Sequence, residues 1–270
     1  MPFVAPTHEA QAIRRRRILI SGITGEGKTS SLLTCPKPLG IVSAPGEKGY
    51  DTIPLDDPSI ISRIYLTDDA KKVPSHQVVK EFEGLCFDML AGKLGQLTTF
   101  AIDGLHKYVS YVMDMVTGGA YFQGDEFEPR LYGPAYKHVT DFMHRVMSTT
   151  LPVVAFTVWA ELEADRRAKP GEKQSDIPSY IYPALPGRLA KEVMGEFSVV
   201  VHQSWRKERP TDASKRPMWQ TRPGGDVKGC GLKGPMNIVS RIPVYLPADY
   251  TAFEAAWDAA IQANLKGENA

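Results

Sequence analysis

Eight consecutive residues carry the clearest chemistry in the chain: Gly22-Ile23-Thr24-Gly25-Glu26-Gly27-Lys28-Thr29. They satisfy G-x-x-x-x-G-K-[ST] at every fixed position. The glycines let the backbone curl until successive N–H groups point inward at a phosphate chain. A helix starting there adds the positive end of its dipole. In this pattern Lys28 reaches the β and γ phosphates, and the Thr29 hydroxyl is a Mg²⁺ ligand. The candidate nucleotide-binding residues are Gly22, Ile23, Thr24, Gly25, Glu26, Gly27, Lys28, Thr29 and Ser30. A chance match in a glycine-rich turn would lack the apolar run Ile18-Leu19-Ile20 before it and the helix-capable Thr29-Ser30-Ser31-Leu32-Leu33 after it.

A phosphate cradle only binds; hydrolysis also needs an acid for the metal and a group that orients water. Asp103 closes the apolar run Thr99-Phe100-Ala101-Ile102, and ligands of open α/β sheets sit at the carboxyl ends of strands. Asp103 and Thr29 are the candidate metal residues; the alternative for Asp103 is a cap on the helix that follows. Gly104, not glutamate, comes next, so a tandem acid is missing. Glu47 is the candidate for orienting water, with Asp51 behind it; an exposed turn charge is the competing account of Glu47. The catalytic candidates are therefore Lys28, Glu47 and Asp103. Thr157, near another strand end, either senses the γ-phosphate or packs in the sheet. Lys228 and Lys233, in a glycine-rich stretch, either reach a neighbouring subunit's γ-phosphate or form a solvated loop. His106, His138, His144 and His202 have no metal-ligand spacing and fit core or surface roles.

Elements must bring these residues together. Strands are expected at 18–20, 39–43, 61–66, 99–103, 151–158, 197–202 and 218–221. Pro36 and Pro38 keep the helix after the phosphate loop short. Helices are expected at 76–90, where Val78, Val79, Phe82, Leu85, Cys86, Met89 and Leu90 share a face, and at 105–116, 135–147, 185–194 and 250–265. Residues 118–134 look irregular. Residues 161–178 form a long charged loop carrying Arg166, Arg167, Lys169 and Lys173, and loops of that length are usually functional. Strands alternating with helices predict an α/β fold with a mainly parallel central sheet covered on both faces. The boundaries read as a basic N-terminal arm at 1–17, a core at 18–247, and a C-terminal helix and tail at 248–270.

Composition bounds the rest. The 270 residues carry 32 basic and 31 acidic side chains, a net charge of +1, so a nucleic-acid partner would need a local patch. The run Arg14-Arg15-Arg16-Arg17 is either such a patch or a solvated strand entrance. Three scattered cysteines, Cys35, Cys86 and Cys230, argue against a zinc site or disulfide framework and suit a reducing cytoplasm. No apolar run reaches membrane-spanning length, and the N-terminus lacks a signal-peptide layout.

The order of these segments resembles a family. Arg-Ile-Leu-Ile-Ser leads into Gly22–Thr29; Cys-Pro-Lys-Pro-Leu-Gly-Ile-Val, Glu47-Lys48-Gly49 and Phe-Ala-Ile-Asp103-Gly-Leu follow. Later come Pro186-Gly187-Arg188-Leu189-Ala190, Val199-Val200-Val201 and Trp219-Gln220-Thr221-Arg222-Pro223 with its lysine loop. Over residues 18–243 this is similar to the phage-type RecA-like P-loop ATPases, often labelled AAA ATPases, some of which are single-strand annealing recombination proteins. The resemblance implies a RecA-like three-layer α/β/α P-loop NTPase core, ATP with Mg²⁺, and ATP hydrolysis in phage-type recombination or replication. It also implies an oligomer, ring or filament, whose subunits share sites, single-stranded DNA as partner, and the cytoplasm of a host cell as location. Arg166, Arg167, Lys169 and Lys173 would then contact DNA phosphates, although their loop lacks aromatics for base stacking. The competing function is a nucleotide-dependent DNA-binding or assembly module with little turnover. A small-molecule phosphotransferase is a third reading, disfavoured because no arginine-rich lid is evident beyond Arg166-Arg167.

Overall fold

A computed structural model describes residues 15–64, 73–126, 128–163, 179–186, 188–205, 217–223 and 227–266. Arg166, Arg167, Lys169 and Lys173 lie outside them. In chain order the strands are β1 (Arg16–Gly22), β2 (Leu39–Ser43), β3 (Ile60–Ile64), β4 (Thr99–Asp103), β5 (Val153–Glu163), β6 (Ser179–Pro183), β7 (Val199–Ser204), β8 (Met218–Gln220), β9 (Val227–Lys228), β10 (Gly231–Leu232) and β11 (Tyr245–Pro247). The helices are α1 (Lys28–Leu32), α2 (Ser75–Leu90), α3 (Leu105–Val116), α4 (Ala120–Gln123), α5 (Tyr132–Met147), α6 (Leu189–Glu196), α7 (Met236–Val239) and α8 (Tyr250–Leu265).

The main sheet runs β11-β8-β7-β1-β5-β4-β2-β3. The six strands from β7 to β3 are mutually parallel, whereas β8 is antiparallel to β7, and β11 to β8. Parallel strands need both faces covered, so their side chains alternate between two apolar layers. Leu19, Val154, Phe156, Phe100 and Ile102 meet α2, α3, α5 and α6 on one face. Ile18, Ile20, Val153, Ala155 and Ala101 meet Leu32 of α1 and Phe253 and Trp257 of α8 on the other. The chain is thus a three-layer α/β P-loop NTPase fold with a mixed, mostly parallel sheet.

Several segments differ from expectation. β1 begins at Arg16, and both arginines at its entrance are buried rather than forming a basic patch. Arg17 donates to the carbonyls of Met147 (2.9 Å), Thr149 (2.8 Å) and Leu151 (3.2 Å), satisfying acceptors left open where α5 ends. Arg16 pairs with Glu254 at 2.7 Å and lies 4.2 Å from the Trp257 ring centroid, fastening α8 to the sheet. The strand expected to stop at 158 continues to Glu163 because its end pairs antiparallel with β6. The helix expected from 185 starts at Leu189, four residues later; Pro186 supplies the carbonyl that accepts from Leu189 N–H. The lysine-bearing stretch near 230 holds two short strands instead of a bare loop. The irregular 118–134 region contains α4, and α5 begins at Tyr132, since Pro134 falls in its first turn where no amide partner is needed.

Candidate nucleotide site

Five strands converge on one edge of the sheet. β1 ends at Gly22, β2 at Ser43 before Ala44–Glu47, β4 at Asp103, β5 passes through Thr157 and Trp159, and β7 ends near Gln203. The phosphate loop leaves β1 and enters α1 through Gly27, which adopts a left-handed conformation (φ 75°) open to glycine. Gly22 must also be small, because a Cβ there would stand 2.8 Å from the Gln203 carbonyl oxygen. The Lys28 ammonium folds back and donates to the carbonyls of Gly22 and Ile23, each at 2.9 Å. Burial lowers the Lys28 pKa, and the charges of Glu47, Asp103 and Glu26 oppose that shift. A phosphate chain would replace those carbonyl contacts with stronger, charge-assisted ones.

The two metal candidates touch. Thr29 Oγ1 donates to Asp103 Oδ2 at 2.6 Å, and Thr157 Oγ1 donates to Asp103 Oδ1 at 2.5 Å. Asp103 is buried and does not cap α3; that position belongs to Gly104, which has no side chain to offer. Burial raises the Asp103 pKa against the pull of the Thr157 and Thr29 bonds and of Lys28. A hard divalent cation suits one hydroxyl and one carboxylate, with the remaining positions taken by phosphate and water. Among the described residues no cluster of three or more His, Cys, Asp or Glu side chains could hold a metal alone. Thr29 and Asp103 therefore fit a Mg²⁺ that arrives with its nucleotide, where it would neutralise phosphate charge.

Gly49 closes this corner: a Cβ there would lie 2.1 Å from Thr29 Oγ1 and 2.9 Å from Asp103 Oδ2. Asp51 sits exposed in the same 3₁₀ turn, Gly49–Thr52. The Pro45-Gly46 step does not carry Glu47 away, because Glu47 N–H donates to Ala44 O (3.0 Å) and Ala44 N–H to Asp103 O (2.8 Å). The Glu47 side chain lies largely buried against Gly104. Burial first, and Asp103 second, raise its pKa, which suits a group that accepts a proton.

Of the remaining site residues Gln203 went unread in the sequence. Thr157, read there as a γ-phosphate sensor or as sheet packing, bridges the site by donating to Asp103 and accepting from Gly104 N–H at 2.8 Å. Gln203 is fully buried, and its Oε1 accepts from Ser31 Oγ (2.7 Å) and Trp219 Nε1 (2.9 Å) while its Nε2 donates to the Glu26 carbonyl. One amide thus ties the phosphate loop to α1 and β8. The available signal was a polar residue directly continuing an apolar strand. His106 stacks on Trp159 with centroids 4.2 Å apart, and its Nε2 lies 3.9 Å from Glu47 Oε2. Burial, then Lys107 and Lys28, push the His106 pKa down to about 3, so the ring is neutral.

Lys233 donates to the Gly195 carbonyl, and its N–H bonds Ser198 O (2.8 Å) at the start of β7. That is the opposite edge of the sheet from this chain's phosphate loop. Lys228 lies in β9, which pairs with β6; its side chain is outside the described structure. The three cysteines are free and buried, with the Cys35 and Cys230 thiols pushed up to about 12 by burial.

A complete phosphate loop facing a strand-end aspartate across one sheet edge is a nucleotide-binding arrangement, and a family model described as AAA domain matches residues 14–225. The chain belongs to the AAA domain family. Nucleotide binding and ATPase activity, with ATP and Mg²⁺, are general to AAA proteins and agree with the geometry at Lys28, Thr29 and Asp103. No curated protein matches the chain. No helix among the described residues of this AAA domain is long and apolar enough to cross a membrane.

Proposed function

We propose that this AAA domain hydrolyses ATP and couples the reaction to single-stranded DNA in phage-type recombination or replication, with a RecA-like mode of action. The carrying observation is the Thr29–Asp103 hydrogen bond beside the phosphate loop, with Glu47 lodged over Gly104. In the reaction a water oxygen bonds to the γ-phosphorus as the bond to the β-phosphate oxygen breaks. The water proton passes to Glu47, Lys28 balances charge on the leaving diphosphate, and ADP and phosphate result; a Mg²⁺ held by Thr29 and Asp103 would supply further charge neutralisation there. The site presents no adjacent acid after Asp103 and no arginine at the γ-phosphate edge among the residues named above. A homo-oligomer, ring or filament, in which Lys228 or Lys233 enters a neighbour's site would supply that charge; Lys233, whose ammonium donates to the Gly195 carbonyl at the far sheet edge, would have to exchange that bond to do so. Arg166, Arg167, Lys169 and Lys173 are the proposed DNA contacts, and the host-cell cytoplasm the proposed location.

ATP affinity and phosphate release, measured with single-stranded, double-stranded and no DNA at stated salt, test this. Lys28→Ala should abolish both binding and release; unchanged values would refute the proposal. DNA affinity should fall steeply with salt if backbone contacts hold the strand. A second reading, a nucleotide-dependent DNA-binding or assembly module with little turnover, is favoured by the burial that keeps Glu47 from ionising readily. Fast DNA-stimulated turnover excludes it.

A further inference from the structure

We propose that His106 is the positioning residue for Glu47, holding its carboxylate toward the attacking water; this rests on the reading of Glu47 as the water-orienting group. His106 occupies the first turn of α3, three residues after Asp103, and is 6% exposed. Both ring nitrogens are buried and find no hydrogen-bond partner among the described residues. An imidazole in that state forfeits the hydrogen bonds it would make to water, so the site gains if one nitrogen finds an acceptor. The nearest acidic group is Glu47: Oε2 stands 3.9 Å from His106 Nε2, just beyond hydrogen-bond reach. Such catalytic contacts commonly tighten only in the substrate complex.

The surroundings limit how this contact can close. Trp159 stacks on the ring at an interplanar angle of 27° and fixes its plane. Trp159 is itself held, paired in register with Gly22 at the start of the phosphate loop and covered by Lys107 Nζ at 4.5 Å from its centroid. Glu47 is the movable partner. Its other oxygen accepts from Lys48 N–H at 3.1 Å, and Gly104 leaves room beneath it. A small rotation of the Glu47 side chain brings Oε2 onto the Nε2–H of a neutral imidazole. That bond leaves the remaining lone pair of the second carboxylate oxygen, which also accepts from Lys48 N–H, for water; it favours the ionised carboxylate and does not consume the proton that Glu47 takes during attack.

The experiment uses the full chain with ATP and Mg²⁺. His106→Phe keeps a ring on Trp159 and removes the donor; His106→Gln keeps a side-chain N–H. His106→Phe should lower kcat roughly ten-fold or more while ATP affinity stays within about two-fold, and His106→Gln should recover part of the loss. Added to Glu47→Ala, His106→Phe should cost nothing further, because the two act as a unit. Wild-type kcat in His106→Phe alongside a crippled Glu47→Ala overturns this inference and leaves the Glu47 assignment standing. Wild-type kcat in Glu47→Ala overturns the assignment itself. If His106→Phe does not unfold cooperatively, ¹⁵N-histidine NMR with a non-hydrolysable ATP analogue decides. A His106 Nε2–H signal that shifts on loading, and does not in Glu47→Ala, supports the inference; no shift in the wild type overturns it.

Discussion

Gly104 and Glu47 exclude each other's side chains: a Cβ at position 104 would stand 2.7 Å from Glu47 Oε2 and 3.2 Å from its Cβ and Cγ. The acid that does not follow Asp103 in sequence is placed there by another loop. Gly104 also has φ 94°, a left-handed conformation. Gly104→Ala should therefore cost roughly 1–2 kcal/mol from backbone conformation alone and displace Glu47. Urea unfolding should show that loss, and ATP turnover should fall more than ATP affinity; unaltered turnover would mean Glu47 is not needed where it sits.

Thr157→Val removes a donor to Asp103 and the acceptor of Gly104 N–H, both buried. Leaving those groups unpaired should destabilise the protein by about 1–3 kcal/mol. The Mg²⁺ concentration needed for nucleotide binding should rise as Asp103 loses its anchor. Chemical denaturation and a Mg²⁺ titration with a fluorescent nucleotide check the two outcomes separately; loss of stability with an unshifted Mg²⁺ midpoint would reduce Thr157 to a structural role.

Gln203→Leu preserves much of the volume but strands Ser31 Oγ, the Trp219 indole N–H and the Glu26 carbonyl without their amide partner. We expect nucleotide affinity to weaken roughly ten-fold or more, because the phosphate loop loses its tie to β7 and β8. Isothermal titration with ATP and Mg²⁺ reads this directly. Affinity equal to wild type would show that the loop holds its shape from its own sequence.

His138 Nε2 and Glu83 Oε1, 2.7 Å apart, clasp α5 to α2. The Glu83 bond, stronger than the opposing burial, raises the His138 pKa above its ordinary 6.5. Burial resists ionisation of Glu83, yet the bonds from His138 and Tyr108 outweigh it and hold the carboxyl below its ordinary 4.5. A raised histidine gives its full stability below 6.5 and loses it as pH climbs through the raised value. A lowered carboxylate gives its full stability above 4.5 and loses it as pH falls through the lowered value. The difference in unfolding free energy between wild type and Glu83→Gln should therefore peak between 4.5 and 6.5 and shrink on the alkaline side. A difference constant across pH would rule out the ionic contribution.

Element order and type were largely legible because parallel strands buried on both faces read as unbroken apolar runs, as in Ile18-Leu19-Ile20 and Val199-Val200-Val201. Helices with one apolar face, such as α2 through Val78, Val79, Phe82, Cys86 and Met89, were legible by their spacing. The continuation of β5 to Glu163 was not, since its polar end is stabilised by pairing with β6 and not by burial of its own apolar residues. The arginine run misled for a similar reason: charge predicts solvent, whereas Arg17 is paid with three carbonyls that only the fold brings near.

The sequence by itself determined the phosphate loop, because there the backbone does the chemistry and the glycines and Lys28 that permit it are consecutive. It also placed Asp103 at a strand end. It named Glu47 and Thr157 as candidates too, but only the tertiary structure decided which groups each of them meets. Thr157, Gln203, Glu47 and His106 come from four separate segments, and their meaning lies in distances across the sheet edge: 2.5 Å from Thr157 to Asp103 and 2.7 Å from Gln203 to Ser31, with His106 and Glu47 brought to 3.9 Å. The first two are hydrogen-bond lengths, which no spacing in the sequence prints. Strand order, which sets them, is fixed by how the whole chain buries its two apolar layers.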